Sequence, residues 1–146
     1  MVDAIKPLFT AHATSTGGRN GESRADDGSV AVHLSAPKEL GGPGKPNTTT
    51  PEHLFATGYA ACFGSALDRV AKQHQKDATG ATTRCAVSIG PREGGGFGLA
   101  VRLDVTDESI PQAELQAFVN ETHEKVCPYS NATRGNIAVE VVAHGA

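Results

Sequence analysis

Apolar positions fall into two periodicities along this chain. Phe97, Leu99, Val101, Leu103 and Val105 form the longest period-two run, and Thr83, Cys85, Val87 and Ile89 form another. Val30, Val32 and Leu34 alternate with polar or small residues, and Ile137, Val139 and Val141 make a closing strand. Leu8 to Thr16 also reads as a strand. Two segments read as helices instead. From His53 to Leu67 no residue carries a formal charge, which fits a buried central helix; charge returns at Asp68, Arg69 and Lys72. Leu115, Phe118, Val119, Thr122 and Val126 mark a second helix. Runs of strands separated by single helices predict an α+β fold with a mostly antiparallel sheet.

Local punctuation sets the ends. Thr50-Pro51-Glu52 is a helix start: a capping hydroxyl, a proline for the first turn, and a carboxylate for the positive end of the dipole. Pro111 opens the second helix, and Pro128 is expected to stop it, because the residue before a proline resists helical geometry. Gly94-Gly95-Gly96 is a hairpin turn, without the strand-to-helix context or the lysine of a phosphate loop. Residues 40–47 are a loop. Gly17-Gly18-Arg19-Asn20-Gly21 is a turn in a mobile connection. The many Gly, Ala and Ser residues of the first helix let another backbone come close.

The 146 residues suit one domain over 1–146. A net charge of −3 offers no footprint for nucleic acid or for an anionic membrane. No apolar run approaches the about 18 residues of a membrane span, and Met1 to Thr10 does not read as a signal peptide. A cytoplasmic protein is expected, so the Asn-X-Thr patterns at Asn47 and Asn131 are read as chance. The histidines are scattered and complete no four-ligand spacing, so no metal is expected.

Three cysteines in such a chain point to redox chemistry rather than to a structural staple. Cys62 lies in a run of small, uncharged residues. Cys127 stands directly before a proline and a polar, arginine-containing turn. Cys85 shares a strand face with Val87 and Ile89 and reads as structural. A thiol of pKa about 8.5 is only ~3% thiolate at pH 7, and lowering it to about 6 takes ~3.4 kcal/mol. If one unbroken helix runs from Pro51, Cys62 is too far from its start for the dipole to supply this, and a cation must. Arg19, oriented by Glu52, is the candidate. Glu52 and Cys62 are ten positions apart, roughly 15 Å along a straight helix. Either the helix breaks near Thr57-Gly58, or a second subunit supplies Arg19 and Glu52; an intertwined homodimer is favoured. A second thiol near the oxidised Cys62 would convert its sulfenic acid to a disulfide, and Cys127 is the candidate.

Several motifs carry a family resemblance. They are Gly17-Gly18-Arg19, Pro37-Lys38-Glu39-Leu40-Gly41-Gly42, Pro51-Glu52-His53-Leu54-Phe55, Gly58-Tyr59-Ala60-Ala61-Cys62-Phe63, and Cys127 through Asn136. In this order they resemble the organic hydroperoxide resistance proteins of the OsmC-like superfamily. The resemblance implies a homodimer with sheets wrapped around central helices. It implies a thiol peroxidase that reduces organic and fatty-acid hydroperoxides to alcohols in defence against oxidative stress. Cys62 matches the peroxidatic cysteine, Cys127 the resolving cysteine, and Arg19 and Glu52 their partners. The implied electron donor is a dihydrolipoyl group on a lipoylated protein; no cofactor is bound. The chain has His53 where the family usually has Gln, and His123 stands four residues before Cys127.

Two other readings are weighed. A non-enzymatic disulfide switch lacks a basic DNA-reading helix or a partner motif. A cysteine hydrolase lacks a histidine base that can be placed near Cys62.

Overall fold

The computed structural model describes residues 2–146. The chain divides into two units, the first ending at Pro51 and the second running from Glu52 to Ala146.

The first unit is a three-stranded antiparallel sheet of β1 (Ala13–Thr16), β2 (Glu22–Ala25) and β3 (Ala31–His33), in that order. The strand expected from Leu8 begins only at Ala13, and Leu8 and Phe9 are 95% and 86% exposed. Without a buried face to fill, an alternating pattern has nothing to hold it as strand. The expected alternation of Val30, Val32 and Leu34 holds in part: Val32 is half-buried between exposed Ala31 and His33 and Leu34 is buried, but Val30 is exposed outside the strand. Among the described residues, Leu34, Ser35 and Thr50 are the buried positions of this unit.

A glycine-bounded turn joins β1 to β2 and carries Arg19 within a single 3₁₀ turn, Gly18–Asn20. Gly17 has φ +82°, a conformation that favours glycine, and a Cβ on Gly21 would lie 1.8 Å from the Thr16 carbonyl oxygen. The turn is braced. The Ala36 amide donates to Asn20 Oδ1 at 3.0 Å, and the Leu34 amide donates to the Gly21 carbonyl at 2.8 Å.

The second unit contains α1 (Pro51–Gln73), packed with a sheet of order β4-β5-β6. Strands β4 (Thr82–Pro91) and β5 (Phe97–Thr106) form the expected antiparallel hairpin around the triple glycine. The pairing of β5 with β6 (Val139–His144) is parallel. A parallel pair cannot be joined by a tight turn and needs a long crossover. Here the crossover holds α2 (Gln112–Glu121), a π-helical turn (Thr122–Val126) and α3 (Pro128–Thr133). Topology thus carries Cys127 out of the sheet and into a helical connection.

Buried Tyr59, Phe63, Ala66, Leu67, Val70 and Ala71 form one stripe of α1 at helical spacing, within the uncharged segment read as a buried helix and just beyond it. They join Leu103, Val105, Leu115 and Val119, all fully buried, in one core. The helix is unbroken from Pro51 to Gln73, so no kink lies at Thr57-Gly58. Gly58 instead admits Tyr129: a Cβ there would meet its phenolic oxygen at 3.2 Å.

Pro128 stops the preceding helical segment, as expected, and it also opens α3. At a first helical position its missing N–H costs nothing. The interruption falls on Cys127, whose backbone is extended (φ −68°, ψ 120°), as a residue before proline prefers. Among the described residues, no helix is long and apolar enough to cross a membrane.

Candidate functional site

Two of the three thiols meet. The Cys127 S–H points toward Cys62 Sγ at 3.7 Å, although the residues are 65 positions apart. Cys62 lies on α1 at the edge of the buried stripe and is half-buried, while Cys127 is buried. Cys127 is held on both sides by its backbone. Its N–H donates to the Thr122 carbonyl at 2.9 Å, and its carbonyl accepts from the Asn131 amide at 2.9 Å. The Thr122 hydroxyl donates to the Phe118 carbonyl at 2.7 Å, a side-chain bond that competes with the regular helix where α2 gives way to the π turn.

Burial pushes the Cys62 thiol up from its ordinary value. The backbone N–H of Tyr129 works against this by donating to the sulfur, while the Cys127 thiol adds to the rise. A cation is still needed to make the sulfur anionic at neutral pH. Cys85 lies half-buried on β4, pushed up to about 11 by desolvation, which suits the inert thiol read from its strand pattern.

Of the other expected site residues, Glu52 is on α1 itself. Because that helix is continuous, Glu52 stands about 15 Å along the axis from Cys62. Arg19 belongs to the first unit, half-buried on its braced turn. The second unit therefore assembles the two thiols by itself, with Glu52 a long way down the same helix.

An aromatic triangle stands beside the thiols. Phe55, Tyr59 and Tyr129 have ring centroids 5.6, 5.7 and 6.0 Å apart. Phe63 is a fully buried core residue, and Phe97 is 64% exposed at the start of β5.

Sequence reasoning missed a buried polar cluster. Ser130 Oγ lies 2.8 Å from both the Tyr59 hydroxyl and His123 Nδ1, and the Tyr59 hydroxyl lies 3.0 Å from Thr133 Oγ1. Burial, and after it the nearby Arg134 charge, hold the His123 pKa below its usual value. The Arg134 guanidinium donates to the His123 carbonyl at 2.6 Å, tying the end of α3 to the π turn before Cys127. The available signal was position: Tyr59 sits three residues before one thiol, Ser130 three after the other.

The opposite face of α1 is made of small residues. Ala60, Ala61, Gly64, Ser65 and Asp68 line an open groove of about 430 Å³, closed on its far side by residues including Thr83 of β4. Among the described residues, no group of three or more His, Cys, Asp or Glu side chains is arranged to hold a metal ion.

Residues 42–142 match the family model described as OsmC-like protein. The organic hydroperoxide resistance protein of Xanthomonas axonopodis pv. citri is 48% identical over 140 residues, covering 95% of this chain and 96% of that protein. The crystal structure of an organic hydroperoxide resistance protein from Elizabethkingia anophelis superposes with a TM-score of 0.88 at 42% identity, covering 97% of this chain and 100% of that one. The structure of the organic hydroperoxide resistance protein OhrB of Bacillus subtilis gives 0.83 at 41% identity, covering 94% and 99%. The resemblance read from the motifs is borne out at both levels, and the chain belongs to the organic hydroperoxide resistance branch of the OsmC-like family.

Proposed function

We propose that this protein is a cysteine-based peroxidase that reduces organic hydroperoxides to alcohols as a defence against oxidative stress. The observation that carries this reading is the 3.7 Å approach of Cys62 and Cys127. The related proteins named for organic hydroperoxide resistance support it.

In this reading the Cys62 thiolate attacks one peroxide oxygen. The O–O bond breaks, the alkoxide leaves and takes a proton, and the sulfur becomes a sulfenic acid. Cys127 then displaces that hydroxyl as water, and a disulfide forms. A dihydrolipoyl dithiol on a lipoylated protein reduces the disulfide in the cytoplasm. Phe55 and exposed Tyr129 offer apolar surface for an alkyl chain.

Arg19 is assigned to hold the thiolate and Glu52 to orient Arg19. The unbroken α1 keeps Glu52 of one chain about 15 Å from its own Cys62, so a second copy supplies Glu52, and Arg19 with it. The small-residue groove on α1 is shaped for a close backbone approach by that copy. The first unit, with Leu8 and Phe9 exposed and few buried side chains, is also suited to complete its packing on a partner.

The test is steady-state turnover of cumene hydroperoxide with dihydrolipoamide, and then with glutathione, as reductant. Cys62→Ser is expected to lose more than about a thousandfold in rate, as removal of a nucleophile does. Cys127→Ser is expected to stall after one turnover and to accumulate sulfinic acid at Cys62. Near-normal turnover by Cys62→Ser would refute the reading.

A further inference from the structure

Capture of the sulfenic acid is a race. Cys127 must reach Cys62 before a second peroxide does. The two sulfurs stand 3.7 Å apart and a disulfide needs about 2.05 Å, so the gap must close by roughly 1.7 Å. Helix α3, which follows Cys127, has six residues and is too short to be held by helix formation alone. Side-chain contacts from Tyr129, Ser130 and Thr133 anchor it, and one buried hydroxyl joins three segments.

Ser130 is fully buried, and its Oγ ties three pieces together. It contacts Tyr59 on the Cys62 helix, His123 in the π turn before Cys127, and belongs itself to the helix after Cys127. Thr133 Oγ1 contacts Tyr59 and donates to the Ser130 carbonyl at 3.2 Å. Counting protons gives a single solution. A carbonyl can only accept, so the Thr133 proton is committed there. The Tyr59 proton must then serve the contact with Thr133, the Ser130 proton the contact with Tyr59, and a proton on His123 Nδ1 the contact with Ser130. Reversing any link leaves one contact without a hydrogen. The chain thus runs in one direction from His123 Nδ1–H to the Ser130 carbonyl, and it specifies the histidine tautomer.

We propose that Ser130, with Tyr59 and His123, is a positioning residue for the resolving step, holding the Cys127 sulfur in line with Cys62 so that the disulfide forms before over-oxidation. This rests on the peroxidase reading. The step it governs balances internally: the Cys127 sulfur attacks the Cys62 sulfur, the S–S bond forms, the S–O bond breaks, and the hydroxyl leaves as water with the Cys127 proton. The oxidising equivalents come from the organic hydroperoxide already consumed.

The experiment compares the full-length protein with its Ser130→Ala and Tyr59→Phe variants, each treated with a series of cumene hydroperoxide concentrations. Mass spectrometry reads the ratio of Cys62 sulfinic acid to Cys62–Cys127 disulfide, and stopped-flow kinetics separates first oxidation from disulfide formation. Tyr59→Phe removes one oxygen and keeps the ring, so it decides the matter if Ser130→Ala does not fold. The expected result is a fall of about tenfold in disulfide formation relative to first oxidation, with a matching rise in sulfinic acid, as slight misplacement of reacting groups produces. A wild-type ratio in the folded variants overturns the proposal. So does a ¹⁵N NMR spectrum of the unmodified protein that places the neutral His123 proton on Nε2 instead of Nδ1. A wild-type Cys62 that never reacts with the peroxide would instead bring down the underlying peroxidase reading, and this inference with it.

Discussion

The two units of this chain answer the problem of burial differently. From Glu52 onward, α1, the β4-β5-β6 sheet and α2 enclose a core in which Tyr59, Phe63, Leu67, Leu103, Val105, Leu115 and Val119 are sealed. Before it, three short strands carry Arg19 on a well-braced turn, yet few of their side chains are buried. The chemistry follows the same division. The thiol pair lies in the second unit, and Arg19, the proposed cation, lies in the first.

Core substitutions sharpen that contrast most. Leu103→Ala is expected to cost about 2–5 kcal/mol, because a fully buried leucine leaves a cavity. Val32→Ala, at a half-buried position in the first unit, is expected to cost less than about 1 kcal/mol if that sheet stays as open as it stands. Urea unfolding of both variants checks the pair. A cost at Val32 equal to that at Leu103 would show the first unit to be as tightly packed in solution as the second.

Removing the proposed cation is expected to act less strongly, and on chemistry rather than folding. Arg19→Ala is expected to lower peroxide turnover at pH 7 by about 30-fold, the ratio between a mostly ionised thiol and one that is ~3% thiolate. The deficit should shrink as pH rises past the ordinary thiol range. Because burial raises Cys62, recovery should lag behind that of a free cysteine. Iodoacetamide alkylation of Cys62 against pH reads this directly, and identical profiles for the two proteins would break the assignment.

The smallest effect concerns His123. Its folded-state pKa is depressed, so the unfolded chain binds the proton more readily. Its contribution to stability is complete well above the unfolded value of about 6.5 and is lost as pH falls from there through the folded pKa. One proton limits the slope to about 1.4 kcal/mol per pH unit. Urea midpoints between pH 7.5 and 5 should fall in the protein and fall less in His123→Asn; equal slopes would remove the histidine from the account.

Period-two alternation placed β4 and β5 because both have one buried face, so pattern and packing agree. The same rule overextended β1, since Leu8 and Phe9 have no such face within the chain. For α1 the signal was the absence of formal charge from His53 to Leu67; which of its residues form the buried stripe was not read from the sequence. The roles of Cys62 and Cys127 were suggested by sequence context and family motif; their contact was not, since 65 positions separate them and only the β5-to-β6 crossover brings them together.

Local physical chemistry, read along the chain, therefore determined the helix starts, the alternating strands and the unusual setting of each cysteine, because these depend on neighbours a few positions away. Three-dimensional packing decided the rest. It kept α1 continuous, which separates Glu52 from Cys62, and it made Pro128 a helix opener. It also gathered Tyr59, His123, Ser130 and Thr133 around one buried hydroxyl, a meeting that no local spacing encodes because the partners lie up to 74 positions apart.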